Sequence, residues 1–217
     1  MSLEIKMLTL GPIGTNSYII GDTNSGKAIV IDPVDDAPLL QQTAQEAGWE
    51  IALILATHGH FDHVLASKAL KELTGAPFWA HHRAPEWLER LPEQGQMFFG
   101  KPFPEAAIPD RLLGDENEEI AIGDIQLKTL YTPGHSQDHI AYYCPDAGVV
   151  FAGDCLFAGS IGRTDLPGGN YDQLMQSITE KLLPLGDDTQ VLPGHMQITT
   201  IGQERRSNPF LLSYMTS

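Results

Sequence analysis

The strongest constraint on the fold is a six-residue apolar run, IALILA at 51–56, that passes without a break into THGHFDHV at 57–64. A short apolar run of this kind fits a strand covered on both faces. Its end then carries three of the chain's 8 histidines, and an aspartate, within positions 58–63. Polar groups at the end of a buried strand are costly unless something compensates them. A metal ion is the first candidate.

The rest of the chain alternates short strands with amphipathic helices. SYIIGD and KAIVIDP read as strands separated by turn residues, and residues 37–47 carry a helical stripe of Leu39, Leu40, Ala44 and Ala47. Val64 to Leu73 reads as a second helix, with Val64, Leu65, Ala69, Leu70 and Leu73 on one face and Gly75 and Pro77 ending it. PFWAHH is another strand. Residues 92–118, rich in Pro, Gly and acids, read as a long excursion over the aromatic residues Phe98, Phe99 and Phe103, either a lid or a packing segment. EIAIGDIQLKTLY reads as two strands around a Gly-Asp turn. HIAYYC and VVFAGD follow, then a helix from Tyr171 to Leu183 opened by Asn170, then TQVLPGH. No linker divides the halves, so one domain spanning 1–217 is expected, an α/β chain of packed sheets with helices outside.

Composition narrows the function. The net charge of −15 speaks against a general nucleic-acid binder or an anionic-membrane binder. Cys144 and Cys155 give no disulfide framework. No apolar run approaches the ~20 residues of a bilayer span, and no signal-peptide pattern opens the chain. A cytoplasmic protein with a small-molecule substrate is the expectation.

On an extended segment His58 and His60 project to the same side, while Asp62 and His63 follow from the turn into the next helix. One tetrahedral metal does not comfortably take all four from so short a loop, but two adjacent metals do. Further donors stand where other strands end: His135 in TPGHS, Asp154 in FAGDC and His195 in LPGHM, each preceded by glycine. Asp154 is the natural bridge, since a carboxylate has two oxygens for two cations.

THGHFDH followed by PGHS, GDCLF and PGH resembles the metallo-β-lactamase superfamily, and GSIGRTDLPGG after Asp154 is similar to its glyoxalase II-type hydrolases. The resemblance implies a four-layer αβ/βα sandwich with a binuclear site on one edge. It implies that His58, His60 and His135 hold one ion, that Asp62, His63 and His195 hold the other, and that Asp154 bridges them. Asp62 would be the catalytic residue, together with a hydroxide shared by the metals. Neutral imidazoles and carboxylates suit zinc, with iron and manganese as alternatives. Two divalent ions sharing a water lower its pKa and polarise a carbonyl. Without an obvious general acid, a thioester is the least demanding substrate, because a thiol with a pKa near ~8.5 departs as thiolate.

Substrate residues depart from the glyoxalase II pattern. Arg163, Asp165 and Gln197 stand where those enzymes carry a lysine and two tyrosines. Arg163 is a candidate to grip a substrate carboxylate, and an ion pair with an arginine is the alternative role for Asp165. The helical domain that supplies glutathione contacts in full-length glyoxalase II has no counterpart in the 22 residues after His195. Arg205 and Arg206 are read as braces. His81, His82 and His139 are read as outside the ligand set, Asp138 as a residue that orients a ligand histidine, and Asp32 as similar to a position supporting the ligands. The rivals are a persulfide dioxygenase of the same superfamily, with one iron on His58, His135 and Asp154, and a metal-dependent lactonase.

Overall fold

The computed structural model describes residues 2–216. The first sheet is built in sequence order: β1 (Leu3–Leu10), β2 (Thr15–Asp22), β3 (Lys27–Ile31), β4 (Glu50–Leu55), β5 (Phe78–His81) and β6 (Arg111–Leu113). The first two pairings are antiparallel and the last three parallel, joined through α1 (Ala37–Glu46), then α2 (Phe61–Val64) and α3 (Ser67–Thr74), then α4 (Pro85–Glu89) and α5 (Leu91–Phe99). The IALILA strand is β4, flanked on both sides by parallel neighbours, as its composition demands.

The second sheet takes β7 (Glu119–Ile122), β8 (Ile125–Tyr131), β9 (Ile140–Cys144) and β10 (Val149–Gly153). A small hairpin of β11 (Leu156–Phe157) and β12 (Ser160–Ile161) and the helix α6 (Tyr171–Ser177) come next. The sheet is completed by β13 (Gln190–Pro193), parallel to β10, and β14 (Thr199–Thr200) at its edge. The chain then runs into α7 (Ile201–Ser207) and α8 (Pro209–Thr216).

Three separate buried clusters define four layers. Leu40, Ala44, Val64 and Leu70 pack with Ile19, Val30 and Ile54 between helices and the first sheet. Tyr18, Ile29, Leu53, Tyr142 and Phe151 fill the space between the sheets. Leu174, Met175 and Ile178 cover Ala141, Val150 and Val191 on the far face of the second. The metallo-β-lactamase sandwich is what this layering describes.

Strand direction places the chemistry. The parallel strands β3 to β6 all end at one edge of the first sheet. In the second sheet β8, β10 and β13 run the same way as one another, because β9 reverses between β8 and β10. Asp32, His58, His135, Asp154 and His195 follow the ends of β3, β4, β8, β10 and β13. Carboxyl ends of strands are where open α/β sheets hold ligands.

Several local expectations change. The helix expected over Val64–Leu73 is two pieces broken at Leu65–Ala66, with Phe61, Asp62 and His63 already helical. The break shifts the helical phase, so Ala69 and Leu73 face solvent while Ser67 and Leu70 are buried. Leu39 is exposed, and α1 buries Ala37, Leu40 and Ala44 instead. The helix from Tyr171 loosens into a wide turn over Ile178–Leu182 and a tight one over Leu183–Leu185. The excursion at 92–118 is not a single lid. It contains most of α5, a loop tied down by Lys68–Glu105 and Lys71–Asp110 pairs, and β6, which extends the first sheet.

Candidate metal centre

At the end of β4 the backbone turns over Gly59. A methyl group on Gly59 would stand 2.7 Å from the Trp87 Cβ, so this residue type permits the close approach of α4 behind the ligand loop. Asp138 accepts a hydrogen bond from the Gly59 N–H at 2.7 Å and another from the Ser136 hydroxyl. Its role is therefore to pin the backbone between His58 and His60, and among the described residues its carboxylate makes no hydrogen bond to a ligand imidazole. That corrects the expectation that Asp138 orients a histidine. Burial raises its pKa, and the Ser136 and Gly59 donors oppose the rise.

The first donor cluster is His58, His60 and His135, all buried. His58 Nε2 and His135 Nε2 approach His60 Nδ1 at 3.0 and 2.9 Å. The partners on the outer side assign the tautomers. His135 Nδ1 donates to the Arg163 carbonyl at 2.8 Å. His58 Nδ1 lies 3.1 Å from the Thr57 hydroxyl, which itself donates to Asp32. Both rings thus carry their proton outward and turn a lone pair inward. Burial, followed by the neighbouring histidines, holds His58 well below its ordinary pKa and pushes His60 down to about 3. Three neutral imidazoles facing one another across 3 Å repel unless a cation sits among them.

The second cluster is Asp62, His63 and His195. His63 Nδ1 donates to Asp32 at 2.8 Å, so the neutral ring would turn the lone pair of Nε2 inward, 3.3 Å from both Asp62 Oδ2 and Asp154 Oδ1. His195 Nε2 lies 3.1 Å from Asp62 Oδ2 and 3.5 Å from Asp154 Oδ2. Here the charge balance reverses. Burial pushes His63 down, but Asp62, Asp154 and Asp32 outweigh it and hold it well above its ordinary value. His195 is pushed up to about 9, its burial outweighed by hydrogen bonds to Asp154 and Asp62. Burial works to raise Asp62 and Asp154, yet His63 and His195 keep both well below the usual carboxylate range.

Asp154 joins the two sets. Besides His63 and His195 it lies 3.6 Å from His135 Nε2, and with His58 and His63 it forms a third possible donor group. Its backbone N–H is accepted by His139 Nε2 at 3.0 Å, and His139 Nδ1 is turned to the Thr132 hydroxyl at 2.8 Å. His139 thus anchors Asp154 rather than joining the ligands. The neighbouring Cys155 points into the apolar layer beneath α6. Gly194 permits another close approach: a Cβ there would stand 2.7 Å from His63 Cε1 and nearer still to Asp154 Oδ1.

These residues fit a pair of divalent ions. His63 Nε2 and Asp154 Oδ1 are buried and 3.3 Å apart, yet neither makes a well-directed hydrogen bond, which is unusual unless an ion completes them. Nitrogen and carboxylate donors lie within 4.8 Å of one another in two adjoining groups, as a dinuclear site requires.

Other residues singled out from the sequence are placed as follows. Asp32 supports His63 and also takes the Thr57 N–H at 2.6 Å. Arg163 is exposed and clamped by Asp165 through two bonds of 2.7 Å. Arg205 braces Asp187 and the Leu183 carbonyl. His81 and His82 both meet Asp115, and the three form a separate group of possible donors that shares no residue with the two ligand sets. Two contributors escape sequence reading. Thr15 donates to Asp62 Oδ2 at 2.8 Å from 47 residues away, and Trp87 stands edge-on to His60 with 5.0 Å between ring centres. Neither carries a local signal, because Thr15 is brought there by strand order and Trp87 by the packing of α4 on Gly59.

A sandwich of two mixed sheets with a buried HxHxDH cluster at the strand ends defines a metal-dependent hydrolase fold. The metallo-beta-lactamase superfamily model matches residues 10–195, and the chain belongs to that superfamily. It is 42% identical to the hydroxyacylglutathione hydrolase GloC of Haemophilus influenzae, over 97% of this chain and 99% of that one. Among solved structures, the BLEG-1 B3 metallo-beta-lactamase superposes with a TM-score of 0.90 at 39% identity, covering 96% of this chain and 99% of that one. The di-iron-bound form of TTHA1623 gives 0.85 at 38%, covering 95% and 100%. Among the described residues no helix is long and apolar enough to cross a membrane.

Proposed function

We propose that the chain hydrolyses thioesters in the manner of glyoxalase II, with a small acyl-thioester as substrate. In this reading His58, His60 and His135 hold one ion, Asp62, His63 and His195 hold a second, and Asp154 serves both. Zinc is the proposed metal, with iron or manganese as alternatives. The observation that carries the reading is the position of Asp154, 3.3 Å from His63 and 3.6 Å from His135. When bound, the two ions supply Lewis acidity, lowering the pKa of water towards neutrality and polarising the scissile carbonyl.

The chain's own groups do the rest. Asp62 remains a carboxylate, fixed by Thr15, and orients the attacking water by accepting its hydrogen bond. Asp32 and Thr57 hold His63 and His58 in the tautomers that face inward. Arg163, held flat by Asp165, offers the other edge of its guanidinium to a substrate carboxylate. The buried acids and imidazoles beside the ligands are already engaged: Asp138 with Gly59 and Ser136, and His139 with Thr132 and Asp154. A leaving group that needs no proton, such as a thiolate, suits that arrangement better than an amine.

The Glu204 and Asn208 side chains give little support to the persulfide dioxygenase rival. Glu204 accepts from Gly159 N–H, Thr199 and Asn208, and Asn208 donates to the Ser160 carbonyl, so both brace the β11–β12 hairpin. The test is one metal-analysed preparation assayed with S-D-lactoylglutathione, a persulfide with oxygen uptake, a lactone and a β-lactam. Thioester turnover well above the other three supports the reading. Oxygen uptake with a single bound iron, or dominant lactone or lactam turnover, overturns it.

A further inference from the structure

The exposed side chains that adjoin the two donor sets differ in polarity. Beside the His135 cluster stand polar groups: Gln137, whose amide donates to the Gly168 carbonyl and to Gln173, and the exposed Arg163–Asp165 pair. Beside the Asp62 cluster three separate segments bring exposed apolar side chains. Phe98 of α5, 55% exposed, packs on Phe61 with 5.8 Å between rings, and Phe61 adjoins Asp62. Met97 next to it is 75% exposed. Ile13, 52% exposed, lies at the β1–β2 turn two residues before Thr15, which bonds Asp62. Met196, 55% exposed, follows His195, and its carbonyl is held by the Asn16 side chain at 2.9 Å.

Met196 also has φ 68°, a left-handed conformation that non-glycine residues rarely adopt. An apolar side chain that is both strained and left in water is not there for packing. Single exposed apolar residues are ordinary. Here, however, Ile13, Phe98 and Met196 each stand next to the same donor set, through Thr15, Phe61 and His195, and Met97 neighbours Phe98. The exposed apolar residues thus gather around one ion's ligands in the fold rather than being scattered.

We infer that these four residues form a subsite for a linear apolar acyl chain, so that the preferred substrates are thioesters of medium-chain acids whose thiol half is polar. The inference rests on the thioesterase reading. The two substituents of a thioester carbonyl leave its carbon in divergent directions. With the carbonyl at the metals, one end meets the apolar rim and the other the Gln137 and Arg163 side. An amide- or carboxylate-bearing thiol matches the polar side, and the acyl chain takes the other.

The test uses N-acetylcysteamine thioesters from acetyl to octanoyl with the metal-loaded protein. Beside them, non-hydrolysable 2-oxoalkyl thioethers of the same lengths are titrated by calorimetry. A chain half-covered by the rim gains about twofold per methylene, or about 15-fold between butyryl and octanoyl. Phe98→Ala and Met196→Asn, the latter suited to the left-handed backbone, each flatten the length dependence relative to the acetyl compound. Met215→Ala, an equally exposed methionine on α8, leaves it unchanged. Affinity and turnover that ignore chain length, or a length dependence untouched by both rim variants, overturn the subsite while short-thioester hydrolysis still upholds the thioesterase reading. Thioether affinity that climbs with length and flattens in the variants, without hydrolysis of any thioester, supports the subsite and overturns the thioesterase reading.

Discussion

The two halves of the site hold similar donors in opposite electrostatic states. The His58, His60 and His135 half is a desolvated trio of imidazoles, with His60 pushed down to about 3. The Asp62, His63 and His195 half is rich in carboxylate, with His195 pushed up to about 9. One half rejects protons and the other gathers them, although they share Asp154. The lesson is that ligand identity alone does not set how a metal is held. Burial without charge makes a neutral cradle ready for a cation, whereas buried carboxylates make a cradle that a proton occupies until metal displaces it.

The largest effect expected is at the residue common to both halves. Asp154→Ala is predicted to lower kcat/KM on the order of 10³-fold or more and to leave fewer than two metals per chain by elemental analysis. Retention of two metals would remove Asp154 from the shared position and with it the link between the halves. Next comes a change confined to one half. Asp32→Asn keeps a residue suited to φ 55° but removes the charge behind His63. Metal affinity of the Asp62 half is predicted to fall about 10- to 100-fold with the His135 half spared, as read by competition with a chromophoric chelator. Equal weakening of both would show that the halves are not separately supported.

Protons offer a gentler way to separate them. In the metal-free protein His195 is raised, so its stabilisation is complete below about 6.5 and is lost as pH rises through about 9. His60 is depressed, so its contribution is present above about 6.5 and is lost as pH falls towards about 3. Imidazole proton NMR of the chelated protein should therefore find His60 neutral and His195 charged at pH 7. On acidification of the loaded protein, the Asp62 half should release its metal first. A common midpoint near 6.5 for both rings would contradict the comparison. The smallest effect belongs to the rim. Arg163→Ala breaks an exposed pair worth under about 1 kcal/mol, so KM for a carboxylated thioester should rise about threefold with kcat and Tm nearly unchanged. Unaltered KM would leave Arg163 a loop fastener only.

What was legible in the sequence follows a physical pattern. The IALILATHGHFDH segment declares itself because a buried strand and a polar cluster are both local properties. His135, Asp154 and His195 are legible because each follows a strand and a glycine, and parallel strand ends meet at one edge. The separation of Asp154 from Cys155 is legible from strand alternation, and Cys155 does lie in the apolar layer. Other features are set by distant partners. The break at Leu65–Ala66 comes with a hydrogen bond from Ala66 N–H to the Pro33 carbonyl. Asp138 reaches Gly59 across 79 residues, and Thr15 reaches Asp62 across 47. The helix at 91–99 sits in a Pro- and Gly-containing stretch whose helical period is weak, and it is held by Phe61 and Phe103. No window of local sequence contains those contacts.

The central claim is a two-metal thioesterase, and one titration addresses it most directly. Chelated protein is reconstituted with zinc in steps while S-D-lactoylglutathione hydrolysis and bound metal are followed on the same samples. The account predicts that activity climbs to a plateau at about two ions per chain. Full activity at one ion, or no hydrolysis with two ions bound, would contradict it.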